Sequence, residues 1–306
     1  MKSGLLIVTA LFWLVNFTGC RSAFIHPMNT SQILTDIPYG PHERQRFDLY
    51  LPATQEPSPL VLFIHGGGWT TGDKTNQPAD GDRQRLLRQG IAVASTNYRL
   101  TPEHELPIPI EDAARALQFL RLHAGDYHLD PQRVALAGNS AGGCTALYLG
   151  CAQDLAQEAS DDPVKRQSTR VSAVYASNAQ TFLDPDRLSQ WIGPGAIAHR
   201  MPFLAVGLDS PEALQAAPSA HQRLRQYSAI DHLDAGDPPL YLSFNRPADL
   251  PAETADAGIH HPEFGHRMQA KARETGVPCW VQSRQENLQP AEFEDGIDFL
   301  IQQLAP

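Results

Sequence analysis

The sequence predicts an α/β fold: a mostly parallel, doubly wound sheet with helices on both faces. Strand-like apolar runs alternate along the chain with segments whose apolar residues recur at helical spacing, which is typical of parallel sheets. The run LVLFI at residues 60–64 is apolar throughout, as expected for a strand buried on both faces. The segment 111–124 places Ala113, Leu117 and Leu120 on one helical face, which would pack against the sheet.

The predicted elements form one domain over residues 44–306. The strands are predicted at 44–52, 60–64, 91–98, 133–137, 171–177, 239–244 and 278–284. The helices are predicted at 83–90, 111–124, directly after Ser140, at 262–276 and at 290–304. The region 178–237 is less regular and rich in Pro, Gly and Asp, so we expect it to be a cap inserted before the last strands.

Composition excludes some classes of partner. The chain has 24 basic and 34 acidic residues, a net charge of −10. Binding to nucleic acid needs a basic surface, so no nucleic-acid partner is expected. Three cysteines, Cys144, Cys151 and Cys279, have the spacing of neither a disulfide framework nor a metal site, and no metal is expected.

The N-terminal segment has the pattern of a secretory signal peptide over residues 1–19. A basic residue precedes an apolar stretch at 5–15, which is too short to cross a membrane with flanking residues. It ends in FTGC at 17–20, which resembles the bacterial lipobox, in which the cysteine is lipidated. We therefore expect an exported lipoprotein, periplasmic or at the cell surface. Its only membrane attachment would be lipidated Cys20, followed by a linker or loose arm up to residue 43.

The stretch RVALAGNSAGG at residues 133–143 predicts a nucleophilic serine. In Gly138-Asn-Ser-Ala-Gly142, an apolar strand leads into Ser140 and a helix of small residues follows. The glycines two residues before and after the serine allow the strand and helix backbones to pass closely. Ser140 is therefore the predicted attacking group, and it needs a base, since a serine hydroxyl is a weak nucleophile near neutral pH.

The stretch FIHGGGW at residues 63–69 follows the first buried strand. Three consecutive glycines indicate a backbone that approaches another group closely. With this loop and the Ser140 turn, the chain resembles the α/β-hydrolase fold, in particular its HGGG-type esterase and lipase branch and the feruloyl- and acetylxylan-esterase-like group. The resemblance implies an oxyanion hole made by the N–H groups of Gly67, Gly68 and Ala141. His65 is interpreted as shaping the loop.

The same resemblance implies an exported serine hydrolase of acyl esters, either small molecules or esters on polysaccharide, which needs no cofactor. A formamidase-like amide hydrolase is an alternative, since kynurenine formamidases share a related loop. The resemblance is strong from residue 40 to Ser140 and weaker beyond it.

The expected catalytic histidine is missing from its usual place. In this fold the order is serine, acid, histidine, and the histidine follows the last strand. The loop there reads QENLQP, and no histidine occurs after His266. The natural candidate for the acid is Asp249, which follows the strand at 239–244. Glu253 and Asp256 are weaker alternatives.

Three hypotheses about the base remain open. The base is displaced to His260 or His261, oriented by Asp249 or Asp184. Alternatively, the protein is a catalytically impaired hydrolase that binds a ligand or glycan. In the third hypothesis the histidine pair only marks the start of a helix. The distance from the Ser140 hydroxyl to the nearest imidazole nitrogen would separate them.

Overall fold

The structure is a computed structural model that describes residues 31–305. The predicted signal peptide and Cys20 lie outside the described residues. The described chain builds an eight-stranded sheet in the order β1-β2-β4-β3-β5-β6-β7-β8. Strands β1, β2 and β4 pair antiparallel, and all other neighbours pair parallel. The strands are β1 Gln32–Pro38, β2 Arg46–Leu51, β3 Ser58–Ile64, β4 Ala92–Thr96, β5 Leu129–Asn139, β6 Ala173–Ser177, β7 Leu240–Phe244 and β8 Cys279–Ser283.

Five helices accompany the sheet, and six more lie in the cap and in the segment between β7 and α10. The helices along the sheet are α1 Asp80–Arg88, α2 Ile108–Leu122, α3 Ala141–Cys151, α10 Glu263–Thr275 and α11 Gly296–Leu304. The other helices have three to nine residues and are α4 Pro185–Arg187, α5 Pro194–Ala198, α6 Arg200–Leu204, α7 Pro211–Gln215, α8 Pro218–Gln226 and α9 Ala255–Ile259. Four of these begin with proline, whose fixed φ and missing N–H suit the first helical position.

The alternation of side chains along the strands divides the core into two layers. In β3, Leu60, Leu62 and Ile64 pack with α2, α3 and α10 on one face of the sheet. Val61 and Phe63 point to the other face and pack with α1 and α11. Every residue of β3 is buried, so the sheet is covered on both sides. The predicted α/β-hydrolase architecture is confirmed.

Two boundaries differ from the sequence prediction. The segment predicted as a linker contains β1, an edge strand held by its pairing with β2. Its side chains are exposed or only half-buried, so it lacks the apolar pattern that identifies a strand. The predicted last helix at 290–304 starts only at Gly296, because the Asp295 carboxylate caps it by accepting from the N–H groups of Ile297 and Asp298.

The region between β6 and β7 contains α4 to α8, where the cap was predicted. A second segment, between β7 and α10, contains α9 and packs against α5 of the cap. Cys144, Cys151 and Cys279 are free thiols. Within residues 31–305, no helix has both the length and the apolar composition needed to cross a membrane.

Candidate active site

Ser140 lies on a strained turn between β5 and α3. Its backbone adopts φ 51° and ψ −123°, a conformation that non-glycine residues rarely adopt. The Ser140 N–H donates to the carbonyl of Ser177 on β6, at 2.8 Å. The turn therefore places the Ser140 side chain at the carboxyl end of the parallel strands, where α/β sheets bind their ligands.

The glycines around Ser140 are required by backbone packing. A Cβ on Gly142 would lie 2.0 Å from the carbonyl oxygen of Ile64, and one on Gly138 would lie 2.4 Å from the Gly142 carbonyl carbon. These contacts are with backbone atoms and cannot be relieved by a side-chain rotation. The GxSxG spacing is thus what allows α3 to start directly beside β3 and β5.

Substitution Gly142→Ala is expected to lower the free energy of unfolding by about 3 kcal/mol, because the added methyl group overlaps the β3 backbone. Gly81→Ala is the matched control. Nothing lies within 4 Å of a Cβ at Gly81, in the first turn of α1. That change is expected to stabilise the protein by about 0.4–1 kcal/mol. Urea denaturation of both variants measures the difference, and equal stabilities would contradict the packing argument.

His260 lies within hydrogen-bond distance of Ser140. Its Nε2 is 2.9 Å from the Ser140 Oγ, although 120 residues separate the two in sequence. The Nδ1 of His260 is 3.2 Å from Asp256 Oδ1. With Nδ1–H donating to the carboxylate, Nε2 is free to accept the serine proton. Burial lowers the pKa of His260 from its ordinary value of 6.5, which keeps the imidazole neutral and able to act as a base.

The carboxylate beside His260 belongs to Asp256, one of the two alternatives to Asp249 for the acid. Asp256 and His260 are four residues apart at the two ends of α9, so one helical turn brings their side chains together. Asp249 lies in the loop before this helix, and its backbone carbonyl accepts a hydrogen bond from His261. Asp256 lies in α9 and His260 directly follows its last residue, whereas Asp249 precedes this helix.

Arg246 holds the Asp256 carboxylate. Its Nε donates to Oδ2 at 2.6 Å and its Nη2 donates to Oδ1 at 3.3 Å. This pairing lowers the pKa of Asp256, with a smaller contribution from His260. The Asp256 side chain is 62% exposed, so without the guanidinium it would be free to rotate away from the histidine.

His261 has no free nitrogen for catalysis. The Glu263 N–H donates to its Nδ1 at 3.0 Å, and its Nε2–H donates to the Asp249 carbonyl at 3.3 Å. The side chain is fully buried, and burial lowers its pKa as well. Of the two displaced-base candidates, the structure therefore brings only His260 to Ser140. The other suggested orienting acid, Asp184, is buried in the cap and paired with Arg187 and Arg225.

The position of His260 depends on contacts between α9 and the cap. The buried side chain of Gln180 donates to the Ile259 carbonyl at 2.6 Å, directly before His260. A Cβ on Gly258 would lie 2.2 Å from the backbone nitrogen of Ala196 in α5. This close approach of the two helices is possible only with glycine at Gly258, between Asp256 and His260.

The glycine loop after β3 lies against the nucleophile. A Cβ on Gly66 would be 3.4 Å from the Cβ of Ser140 and only 2.8 Å from the Asn139 carbonyl oxygen. Gly67 and Gly68 have φ values of 102° and 63°. Within residues 31–305, no group accepts from the N–H of Gly67, Gly68 or Ala141. These three donors are available to an oxygen of a bound molecule.

Two buried side chains fix this loop. The indole Nε1–H of Trp69 donates to Thr145 Oγ1 on α3 at 3.0 Å, and Thr145 donates in turn to the Ala141 carbonyl. His65 stacks on Tyr98 with ring centroids 4.2 Å apart, and burial lowers its pKa to about 4. Trp69 is fully buried and joins the loop to α3.

Comparison with known proteins assigns the chain to a family. The model of the BD-FAE family matches residues 47–245. The chain belongs to the BD-FAE family. The match includes the glycine loop and Ser140 and ends before Asp256 and His260. The resemblance to HGGG-type esterases of the α/β-hydrolase fold is thereby confirmed.

Curated relatives of this BD-FAE protein carry esterase names. It is 37% identical over 273 residues to the esterase LipI of Mycobacterium tuberculosis, covering 85% of this chain and 74% of LipI. It is 34% identical over 275 residues to the probable isoprenylcysteine alpha-carbonyl methylesterase ICMEL1 of Arabidopsis thaliana. That match covers 85% of this chain and 55% of ICMEL1, so the chain spans about half the length of the plant relative. The protein is a carboxylesterase-like α/β-hydrolase.

Solved structures share the fold of this BD-FAE protein. A truncated carbohydrate esterase from gut microbiota superposes with a TM-score of 0.69 at 20% identity, covering 91% of this chain and 98% of that one. An acetyl ester-xyloside bifunctional hydrolase from Caldicellulosiruptor lactoaceticus has a TM-score of 0.61 at 22% identity. The second match covers 78% of this chain and 76% of that chain. At these identities the likeness establishes the fold.

The loop after β8, where the histidine is usual in this fold, is stabilised by a glutamine in this BD-FAE protein. The Gln289 side chain donates to the Phe293 carbonyl at 2.8 Å. Two aromatic residues of the cap, Phe182 and Trp191, pack on each other with centroids 4.9 Å apart, and Phe182 is fully buried. No cluster of three or more His, Cys, Asp or Glu within residues 31–305 is arranged to hold a metal ion.

Proposed function

We propose that this protein is a serine hydrolase of carboxylic esters with a Ser140–His260–Asp256 triad. The observation that carries this proposal is the chain of two hydrogen bonds, 2.9 Å from Ser140 Oγ to His260 Nε2 and 3.2 Å from Nδ1 to Asp256 Oδ1. Both distances suit proton transfer and orientation in a triad. The three residues come from β5–α3 and α9, two segments that the fold brings together.

The geometry supports acyl transfer in two steps. Ser140 Oγ attacks the ester carbonyl carbon while its proton moves to His260 Nε2, and Asp256 stabilises the imidazolium that forms. The tetrahedral intermediate then expels the alcohol, which takes the proton from His260. Water next attacks the acyl-serine with His260 again as base, and release of the carboxylic acid restores Ser140.

The unpaired N–H groups of Gly67, Gly68 and Ala141 support stabilisation of the oxyanion. Negative charge develops on the carbonyl oxygen only as the tetrahedral intermediate forms, so donors placed there lower the barrier. Each such donor contributes roughly 3–4 kcal/mol in related sites. Ala141 is also the first residue of α3, whose N-terminal end favours negative charge.

The alternative of a non-catalytic binding protein rested on the missing histidine. The hydrogen bond between His260 and Ser140 removes that reason, because a neutral imidazole lies where a base is needed. The names of LipI and of the plant methylesterase support ester hydrolysis, and the carbohydrate-esterase folds make acyl esters on polysaccharide a reasonable substrate. We also keep the proposal that the protein is exported and anchored through Cys20, which would suit an extracellular substrate.

Covalent labelling tests the proposed nucleophile. A fluorophosphonate probe is expected to add its mass to one peptide, the one containing Ser140, and to abolish hydrolysis of 4-nitrophenyl acetate. Mild acid should protect against labelling, since protonated His260 cannot activate the serine. Hydrolysis that survives complete labelling of Ser140, or a label on another residue, would overturn the proposal.

Substitution Asp256→Asn is expected to lower kcat about 10³-fold, because an amide cannot stabilise the imidazolium of His260. Asp249→Asn is the matched control and should change kcat less than twofold, since Asp249 hydrogen-bonds His261 through its backbone carbonyl, which the substitution keeps. Steady-state hydrolysis of 4-nitrophenyl acetate measures both. A larger loss at Asp249 than at Asp256 would restore the original assignment of the acid.

The pH dependence follows from the charges around His260. Because its pKa lies below 6.5, kcat/KM should rise with pH to a plateau with a midpoint below 6.5. The Asp256 carboxylate opposes this lowering, because it stabilises the charged imidazole. Asp256→Asn should therefore move the midpoint further down, whereas Asp249→Asn should leave it in place. An unmoved midpoint in the Asp256 variant would contradict the assignment of the acid.

A further inference from the structure

His199 of the cap lies beside the proposed base. It directly precedes α6, and its ring centroid is 6.2 Å from that of His260, with the two rings inclined at 64°. The side chain is half-buried. The triad and the oxyanion donors described above make no use of this histidine.

The hydrogen bonding of His199 determines which nitrogen carries the proton. The Met201 N–H donates to His199 Nδ1 at 3.2 Å, so Nδ1 is an acceptor and the proton of the neutral ring is on Nε2. Burial, with a contribution from the neighbouring His260, lowers the pKa of His199 to about 4. The ring is therefore neutral near pH 7. Within residues 31–305 no group accepts a hydrogen bond from its Nε2–H.

The segment 199–201 extends from the proposed base, His260, to the glycine loop after β3. Met201 is fully buried, and its Cβ lies 3.5 Å from where a Cβ on Gly68 would be. His199 thus lies beside the proposed base, and Met201 lies beside Gly68. Because the base also gives its proton to the leaving alcohol, a group beside His260 faces the alcohol half of the ester.

We infer that the Nε2–H of His199 donates a hydrogen bond to an oxygen on the alcohol half of the substrate, next to the ester oxygen. This site would select esters of polyhydroxylated alcohols over esters of simple alkanols. An alkanol ester would leave the Nε2–H of His199 without an acceptor, which costs binding free energy. The preference for hydroxylated esters therefore arises from this penalty as well as from the hydrogen bond that they form. The inference rests on the proposed function, which places an ester between Ser140 and the cap.

Two acetyl esters of nearly equal size test this inference. The acetic acid released from 2-hydroxyethyl acetate and from n-propyl acetate is measured by titration at constant pH. The ratio of the two kcat/KM values compares a substrate that has the hydroxyl group with one that lacks it. The wild type is expected to prefer the hydroxylated ester. His199→Asn keeps an acceptor for the Met201 N–H but has no donor at the Nε2 position, and it should lower the ratio about tenfold.

Two further variants separate recognition from folding. His199→Gln places an amide N–H near the position of Nε2 and should retain most of the wild-type ratio. His232→Asn changes a histidine that bonds only the Gln226 carbonyl and should leave the ratio unaltered. If His199→Asn lowers both kcat/KM values equally, His199 has a structural role and the inference fails while the proposed function stands. A wild-type protein that hydrolyses neither ester would instead overturn the proposed function, and the inference with it.

Discussion

Substitution Ser140→Ala is expected to lower kcat for 4-nitrophenyl acetate about 10⁴- to 10⁶-fold. Without Oγ no acyl-enzyme can form, and His260 has no hydroxyl to deprotonate. Residual catalysis should remain roughly 10³- to 10⁴-fold above the reaction in water, since the oxyanion donors and substrate binding are retained. The measurement is initial rates at saturating ester, with the wild type and variant purified in parallel.

The matched control for Ser140 is Ser243→Ala, which removes the same atom at the end of β7. Ser243 Oγ lies 3.2 Å from the Tyr175 hydroxyl and touches none of the proposed catalytic groups. The kcat of the Ser243→Ala variant should stay within about twofold of the wild-type value. Equal activity of Ser140→Ala and the wild type would show that Ser140 is not the nucleophile and that ester hydrolysis takes place elsewhere.

Substitution His260→Gln is expected to lower kcat about 10⁴-fold or more, because an amide cannot accept the serine proton near neutral pH. Binding should change much less, since His260 acts on the proton and not on the bulk of the ester. The loss therefore appears in kcat with a nearly unchanged KM. Adding Asp256→Asn to this variant should lower kcat little further, because the acid acts only through the histidine.

The neighbouring His261→Gln provides the control for this prediction. His261 is buried and its two nitrogens are occupied by the Glu263 N–H and the Asp249 carbonyl. Its replacement should lower the free energy of unfolding by about 1–3 kcal/mol and reduce kcat less than tenfold. If His261→Gln lost as much activity as His260→Gln while remaining folded, the assignment of the base would be wrong.

The missing histidine illustrates what a motif can and cannot predict. The loop after β8 lacks the residue, and His260, directly after α9 in the segment that follows β7, contacts Ser140 instead. A signal for the pairing of His260 with Asp256 is present in the sequence. Thr254 caps α9 by accepting from the Ala257 N–H, and the spacing of Asp256 and His260 is that of one helical turn. Recognising α9 as a helix would have paired this acid with this histidine.

The alternating apolar segments, the glycine loop and the Ser140 turn were all predictable from sequence. Their reasons are local: a buried strand must be apolar, and glycine is required where a Cβ would overlap a neighbouring backbone, as at Gly138 and Gly142. The edge strand β1 was missed because its exposed side chains carry no such pattern.

The sequence by itself determined the strand and helix pattern of the fold, the turn at Ser140 and the glycine loop, because each depends on neighbours a few residues away. Only the tertiary structure decided which histidine meets Ser140, since that contact joins residues 120 positions apart. The deciding interactions lie in the packing of α9 on the cap, at Gly258 and through the bond from Gln180 to the Ile259 carbonyl. Such contacts depend on how two loops pack together, and no local pattern of residues specifies this packing.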